Sequence, residues 1–507
     1  LYACMGMNPE VGGAFSNFDD TNVISLAGVK KVLAVPELYG STRALVVVAQ
    51  STYHAMKGLR ELSVKWDLGN SSDLSDATVQ TSFKEALDSD NGFTYFSHGD
   101  ADGVIAASKR LVQAEYSAPF LAHAAMEPLN CTVWFKDGTA QVWAPTQITD
   151  LARHVVAKVL GISTDKVQLH LTLLGGGFGR RLEMDVIAQA AFIAKACEGA
   201  PVQTLWDRTQ DLQHDFYRPA AASRFTAALD DNGQLTAWHN ISSSQAVLPQ
   251  VLNRLFGLPS AGPDKTTAEG AFDQAYEWPN AKVRHCAVEL PIPVGFWRSV
   301  GHSHQAFFKE SFVDEVAHAS GQDVLAFRLS LLKHHPRHAK VLQTVAEKSS
   351  WKSTPYQAPD GSQRAMGLAL HESFGSIVAQ VAEVSVTQQK IKVHRVWCVI
   401  DCGTAINPDL IAQQMEGSVA FALSAALYGR IQWSKGRVQQ SNFHDYQVLR
   451  MPDMPQVDTF IMASNANPEG VGEPGTPPLA PAVANALFTL TGQRLRSLPL
   501  NLAAASA

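Results

Sequence analysis

The stretch GVGEPGTPPLAPAVANALF, residues 470–488, sets Gly470, Gly472 and Gly475 in the pattern G-x-G-x-x-G ahead of a helix-like apolar run. That pattern ordinarily cradles a pyrophosphate on backbone N–H groups. Here Glu473 stands in its middle, and a carboxylate repels a phosphate. The nucleotide reading is therefore rejected, and the loop is read as presenting Glu473 itself. Flanking glycines remove bulk and let a large ligand approach the backbone. Pro474 fixes φ and holds the carboxylate's position. A carboxylate so held is suited to act as a general base. The competing roles are a cap on the following helix or an ion pair with an arginine.

A second glycine loop, Gly175-Gly176-Gly177-Phe178-Gly179-Arg180-Arg181, lies between a strand pattern and a helix pattern. It exposes several N–H groups, which suits an anionic or oxo-bearing ligand. It lacks the Lys-Ser/Thr of a P-loop, and Arg180 breaks G-x-G-x-x-G. A plain strand-to-helix crossing is the alternative. Gln147, in WAPTQ, follows a strand end and can donate to a ligand oxygen, or simply start a helix. MEPLN, residues 126–130, stands nearby in sequence. Arg298 sits in a Gly- and aromatic-bounded turn, GFWRSVGHSHQ. His302 and His304 have no acid nearby and read as solvated or capping, and KHHPRH at 333–338 reads as a solvated helix end. Asp401 and Asn407 read as turn residues. No G-x-S-x-G occurs, since GHSHQ departs at its last position.

The elements that must position these residues are mixed. With 507 residues the chain has room for roughly three domains. Only 17% of residues are charged and 46% are hydrophobic, which points to a large, well-buried body. The net charge of −6 and the lack of a basic run give no reason to expect nucleic acid. The six cysteines are scattered, without C-x-x-C or the spacing of a zinc or iron–sulfur site. Most are read as buried thiols. No run of about 18 apolar residues predicts a membrane span. Strands are expected at VKKVLAVP and ALVVVAQ, and a hairpin at CTVWF-KDGT-AQVWAP. Thr146 is expected to cap the helix through ITDLARHVVAKVLG. A hairpin is expected from VAQVAEVSV to KIKVHRVWCVI, and a helix after NPDL. The lack of strict alternation favours α+β over one doubly wound sheet.

The ordered set MEPLN, WAPTQ, GGGFGRR, FWRSVG, DCGTAINPDLIAQQMEG and VGEPGTPPLAPAVANALF resembles the molybdenum-binding large subunit of the xanthine oxidase family. Within it, GGGFGRR and EPGTPP resemble the isoquinoline 1-oxidoreductase and bacterial aldehyde dehydrogenase branch. The resemblance implies an α+β fold: a hammerhead-like domain over 1–78, then two molybdenum-cofactor-binding domains over 79–345 and 346–507. It implies catalytic roles for Glu473 as base, Gln147 and Arg298. It implies cofactor contacts from Gly176, Gly177, Phe178, Gly179, Arg180, Gln147, Gln414 and Gly472, with no protein ligand to the metal. The implied cofactor is a molybdenum–pterin, as the cytosine dinucleotide, with [2Fe–2S] clusters on a small partner subunit. The implied reaction oxidises an aldehyde or hydroxylates an N-heteroaromatic carbon with water-derived oxygen. A catalytically inactive scaffold or assembly protein of the same fold is the alternative. By resemblance alone, a periplasmic or outer-face membrane-associated location is favoured over the cytoplasm.

Two departures from the family pattern stand out. Many members carry Glu four residues after the loop Phe; here that position is Leu182, with Glu183 next to it. A more apolar pocket without purine-type recognition is expected. The Gly-Gln-Gly pterin loop is also absent, and the chain opens at LYACMGM without an initiator Met. A separate N-terminal segment or chain is expected to complete the pterin site.

Overall fold

The computed structural model describes residues 1–89, 91–259 and 262–503. Three mixed sheets and the helices between them form an α+β body. The first sheet has seven strands in the order Val167–Leu171, Thr139–Ala144, Asn130–Lys136, Pro201–Leu205, Tyr2–Met7, Ala44–Ala49, Val29–Val35. Strand Ala44–Ala49, sequence ALVVVA, is buried at every position, as a central strand covered on both faces requires. Tyr2–Met7 pairs parallel with Pro201–Leu205 and antiparallel with Ala44–Ala49. The sheet therefore crosses residue 78, where a domain boundary was expected. The hairpin at Asp137-Gly138 forms with both residues at positive φ, the geometry that matches strand twist.

The second sheet runs Phe93–His98, Ala281–Ala287, Leu235–Ser244, Ala221–Leu229, Arg110–Ala118. The third runs Tyr356–Gln357, Gln363–Ser373, Ser376–Thr387, Lys390–Asp401, Gln456–Ile461. The expected hairpin is its centre, from Ile377 opposite Asp401 to Thr387 opposite Lys390. Helix His302–Ser320 packs against strands of both sheets and is buried from His302 through Ala317. A helix buried all round shows no apolar stripe. Its charged residues are matched inside: Glu310 and Asp314 lie 3.3 and 3.6 Å from Arg328.

Helix Leu479–Thr491 lies directly on strand Gln363–Ser373. A Cβ at Gly367 would sit 2.2 Å from the Ala482 carbonyl oxygen, so this approach needs glycine. Its contact fixes the helix that follows the Glu473 loop, and residues 474–487 are all buried. Helix Pro408–Leu427 starts with Asn407, whose Oδ1 accepts the Leu410 N–H at 3.1 Å. Asn407 is thus a helix cap, while Asp401 pairs with Arg337 at 2.9 Å.

Candidate active site

Three sequence motifs knit into one platform around the first glycine loop. Arg181 is buried and donates Nε to the Gly176 carbonyl at 2.8 Å and Nη1 to the Pro145 carbonyl at 3.2 Å. Its Nη2 reaches the Glu127 carbonyl at 3.0 Å and Oε2 at 2.9 Å. One guanidinium therefore ties GGGFGRR to both WAPTQ and MEPLN, a task suited to its fixed fork of donors. Thr146 does not cap the helix as expected; Ile148 holds the N-cap position. The Thr146 hydroxyl accepts the Ile148 N–H and donates to the Arg181 carbonyl, each at 3.2 Å.

Gln147 lies against the loop. Its Oε1 accepts the N–H groups of Gly179 and Arg181 at 3.2 and 3.3 Å. With the carbonyl oxygen occupied, Nε2 has no partner among the described residues and remains a donor. The loop's shape is not optional. Gly176 and Gly179 both sit at φ +105°, and a Cβ at Gly179 would lie 1.8 Å from the Phe296 carbonyl oxygen. Phe178 takes φ +56°, uncommon for a non-glycine residue. Its ring stacks on Phe421 at 4.3 Å, and Phe421 stacks on Trp297 at 4.5 Å.

Arg180, expected to touch the cofactor, turns inward instead. Its guanidinium meets Asp185 at 2.6 Å and Asp215 at 3.0 Å, and all three side chains are buried. A cation taken from water needs such partners, so this side chain is spent on the core. Glu183 does not replace the missing acid at Leu182, because it is buried in an ion pair with Arg254.

Glu473 stands on the second glycine loop, against the turn that carries Arg298 and Ser299. Its Oε1 accepts the Ser299 N–H at 2.9 Å, and its backbone carbonyl accepts the Ser299 hydroxyl at 2.8 Å. It caps no helix: helix Leu479–Thr491 has Pro478 at its N-cap and no side-chain cap. Among the described residues, no arginine side chain pairs with its carboxylate. Burial raises the Glu473 pKa, and the Ser299 N–H and the Arg298 charge draw it part of the way back. Arg298 donates Nε to the Gly472 carbonyl at 2.8 Å. Its Nη2 reaches Gly472, the Ser418 hydroxyl at 2.7 Å and Gln414 Oε1 at 3.1 Å. Arg298 thus clamps the Glu473 loop to helix Pro408–Leu427, while Nη1 has no partner among the described residues. Burial lowers its pKa to about 10, with Glu473 opposing.

That turn joins the first loop directly. The Arg298 N–H donates to the Phe178 carbonyl at 2.9 Å. Phe178, Trp297, Arg298, Gly417, Phe421, Met451 and Met454 are among the residues that line a largely apolar cavity of about 440 Å³. Of the expected residues, Gly176, Phe178 and Arg298 line this cavity. Gln147, Gly177 and Gly179 belong to the same loop cluster, Gln414, Gly472 and Glu473 are tied to it through Arg298 and Ser299, and the Arg180 side chain is excluded. Sequence reasoning missed Ser299, Ser418 and Phe421. The last two stand four and seven residues after Gln414, the spacing of one helix face, a signal that was available.

His302 and His304 are not solvated. Both open helix His302–Ser320 and are buried. KHHPRH divides: His334 is exposed on Glu277, whereas His338 is buried and meets Glu372 at 2.8 Å.

Two molybdopterin cofactor-binding domain models match the chain, over residues 83–331 and 314–455. The chain belongs to the molybdopterin-binding large subunits of the xanthine oxidase family. Within that class it is similar to isoquinoline 1-oxidoreductase subunit beta of Brevundimonas diminuta, 32% identical over 99% of this chain. The chain spans 64% of that relative's length. It is 29% identical to a membrane-bound aldehyde dehydrogenase of Gluconacetobacter polyoxogenes, over 99% of this chain and 68% of the relative. That relative's name carries pyrroloquinoline quinone rather than molybdenum. The fold matches that of quinoline 2-oxidoreductase from Pseudomonas putida 86 at a TM-score of 0.80. That match has 14% identity and covers 98% of this chain and 93% of the other.

Proposed function

We propose that this chain is the substrate-facing part of a molybdenum hydroxylase. The enzyme oxidises an aldehyde or hydroxylates an N-heteroaromatic carbon, with oxygen derived from water. The observation that carries this reading is Glu473, a half-buried carboxylate whose Oε1 is tied to the Ser299 N–H. Its Oε2 has no partner among the described residues.

The residues fit a bulky pterin-borne metal. Among the described residues no group of three or more His, Cys, Asp or Glu could hold a bare ion, so a metal here needs a ligand of its own. Gly417 and Gly472 leave open space where a Cβ would stand. The free donors are Gln147 Nε2 and Arg298 Nη1. These, with Gln414, Gly176, Gly177 and Gly179, would hold the group, proposed as the cytosine dinucleotide form. When bound, it supplies the two-electron oxidation that no side chain can perform.

The chain's own residues do the rest. Glu473 Oε2 takes a proton from the attacking oxygen. The raised pKa strengthens it as a base, while the Ser299 N–H keeps its orientation. Phe178, backed by its stack on Phe421, gives a flat apolar face at the cavity that suits an aromatic substrate. Leu182 offers no acid for purine-type recognition. Electrons leave to a small [2Fe–2S] partner subunit, and a further segment completes the pterin site.

The test is a screen of aldehydes and N-heteroaromatics with a dye acceptor on the assembled complex, alongside metal analysis. The expected result is molybdenum near one atom per chain and dye reduction. Molybdenum that stays absent after co-expression with an upstream segment would favour the inactive scaffold.

A further inference from the structure

Three buried side chains outside the site form a continuous line. His302 Nδ1 lies 3.0 Å from His371 Nε2, and His371 Nδ1 lies 3.5 Å from Lys309 Nζ. His371 is bridged through both ring nitrogens, the arrangement that passes a proton by tautomer exchange, while His302 is bridged through Nδ1 alone. All three residues are at most 5% exposed. A cation as deeply buried as Lys309 is costly unless paired. Its nearest acid, Glu310 at 3.8 Å, is shared with Arg328 and Tyr276.

The line has one open end. His302 Nε2 makes no hydrogen bond among the described residues, and it is not among the sealed, unpartnered atoms. His302 itself neighbours both segments that hold the Glu473 loop. His302 follows Ser299, donor to Glu473, by three residues. Its ring packs 5.6 Å from that of Phe374, whose carbonyl accepts the Gly470 N–H at 3.2 Å.

We propose that His302, His371 and Lys309 form a one-proton store that drains Glu473 between turnovers, through solvent at His302 Nε2. This rests on Glu473 being the base. The proton leaves the Glu473 carboxyl for water and arrives at His302 Nε2. The His302 Nδ1 proton passes to His371 Nε2, and the His371 Nδ1 proton to the neutral Lys309 amine. One proton moves and no electrons do. These are positioning and proton-holding residues, since none touches substrate.

Burial lowers Lys309 to about 8, so as the pH approaches 8 the stored proton leaves by the reverse shifts, out through His302 Nε2 to solvent. Asp273, Glu372 and Glu310 face the line and hold the charged amine, while Arg328 opposes it. Below about pH 8 Lys309 is charged, and the store is full. Above it the amine is neutral and can accept. Turnover should therefore show a rising limb centred near pH 8.

The experiment uses the assembled holoenzyme with Lys309→Met and Lys309→Arg, each checked for melting temperature and molybdenum content. Arginine keeps the charge yet cannot release its proton. Both variants should lose the limb near pH 8, with turnover down roughly tenfold, a small share of the ~10²–10⁴-fold that acid–base groups contribute. Histidine Cε1 hydrogen–deuterium exchange, read by mass spectrometry, gives a measure independent of turnover. The His371 midpoint should rise in Lys309→Met and stay low in Lys309→Arg. A limb that persists in Lys309→Arg, or a His371 midpoint that ignores Lys309→Met, overturns the store. Full activity in Glu473→Gln instead overturns the base, whatever Lys309 does.

Discussion

Two glycine-rich loops build this site, and they use glycine for different reasons. In residues 175–181 the glycines are conformational. Gly176 and Gly179 need positive φ, and Gly179 backs onto the Phe296 carbonyl. In residues 470–475 no glycine has positive φ. There Gly475 makes room for Ser418 and Met415, and Gly472 leaves open space. The charges differ in the same way. The first loop sends both arginines inward to fasten itself, whereas the second keeps its carboxylate at the site. One loop is a rigid seat and the other a holder for one reactive group.

The sharpest break of that comparison is at Glu473. Glu473→Gln keeps the shape and removes the proton acceptor. Turnover should fall by roughly 10²–10⁴-fold, with molybdenum content and melting temperature unchanged. The pH profile sharpens the same point. Glu473 works ionised, and burial raises its pKa above the usual carboxylate value. Activity should therefore fall on acidification at a pH above the ordinary Glu range near 4.3. Stopped-flow reduction rates measured against pH check this. A profile flat down to pH 4 would move the base elsewhere.

The loops also show what a sequence can and cannot disclose. The rejection of a phosphate at Gly470–Gly475 needed only Glu473's charge, and the rigid seat needed only four glycines around Phe178. Both readings draw only on residues a few positions apart. Arg180 was misjudged because its partners, Asp185 and above all Asp215, are set by packing. Burial then decides whether a guanidinium serves the site or the core. The two histidines of GHSHQ read as solvated or capping for the same reason, and they are buried without a side-chain cap. Nothing local says that the helix they open lies between two sheets. Ser299 escaped because its contribution is a backbone N–H, which no residue type advertises.

Stability separates the loops next. Gly179→Ala forces a Cβ into the Phe296 carbonyl at a strained φ. It should cost roughly 2–4 kcal/mol, the range of overpacking and backbone strain together. Gly472→Ala meets nothing within 4 Å and should change stability by about 0.5 kcal/mol or less. Urea melts of the two variants check both figures. The Gly472 variant should nonetheless bind the pterin group less well, if open space there serves the ligand.

The clamp between the loops gives the smallest effect in turnover. Arg298 spans Gly472, Gln414 and Ser418 with one edge of its guanidinium, and its own N–H holds the Phe178 carbonyl. Lysine keeps the charge and loses the fork. Its single ammonium can satisfy the Gly472 carbonyl or the helix acceptors, but not both. In Arg298→Lys the Glu473 loop should loosen while the backbone bond to Phe178 survives. Turnover should drop by roughly tenfold, about 1.4 kcal/mol of positioning, with little change in the acid limb of the pH profile. A loss as large as that of Glu473→Gln would mean that Arg298 acts on the reacting atoms rather than through the loop. Its Nη1, unpartnered among the described residues of a cavity wall, is the atom that would then be responsible.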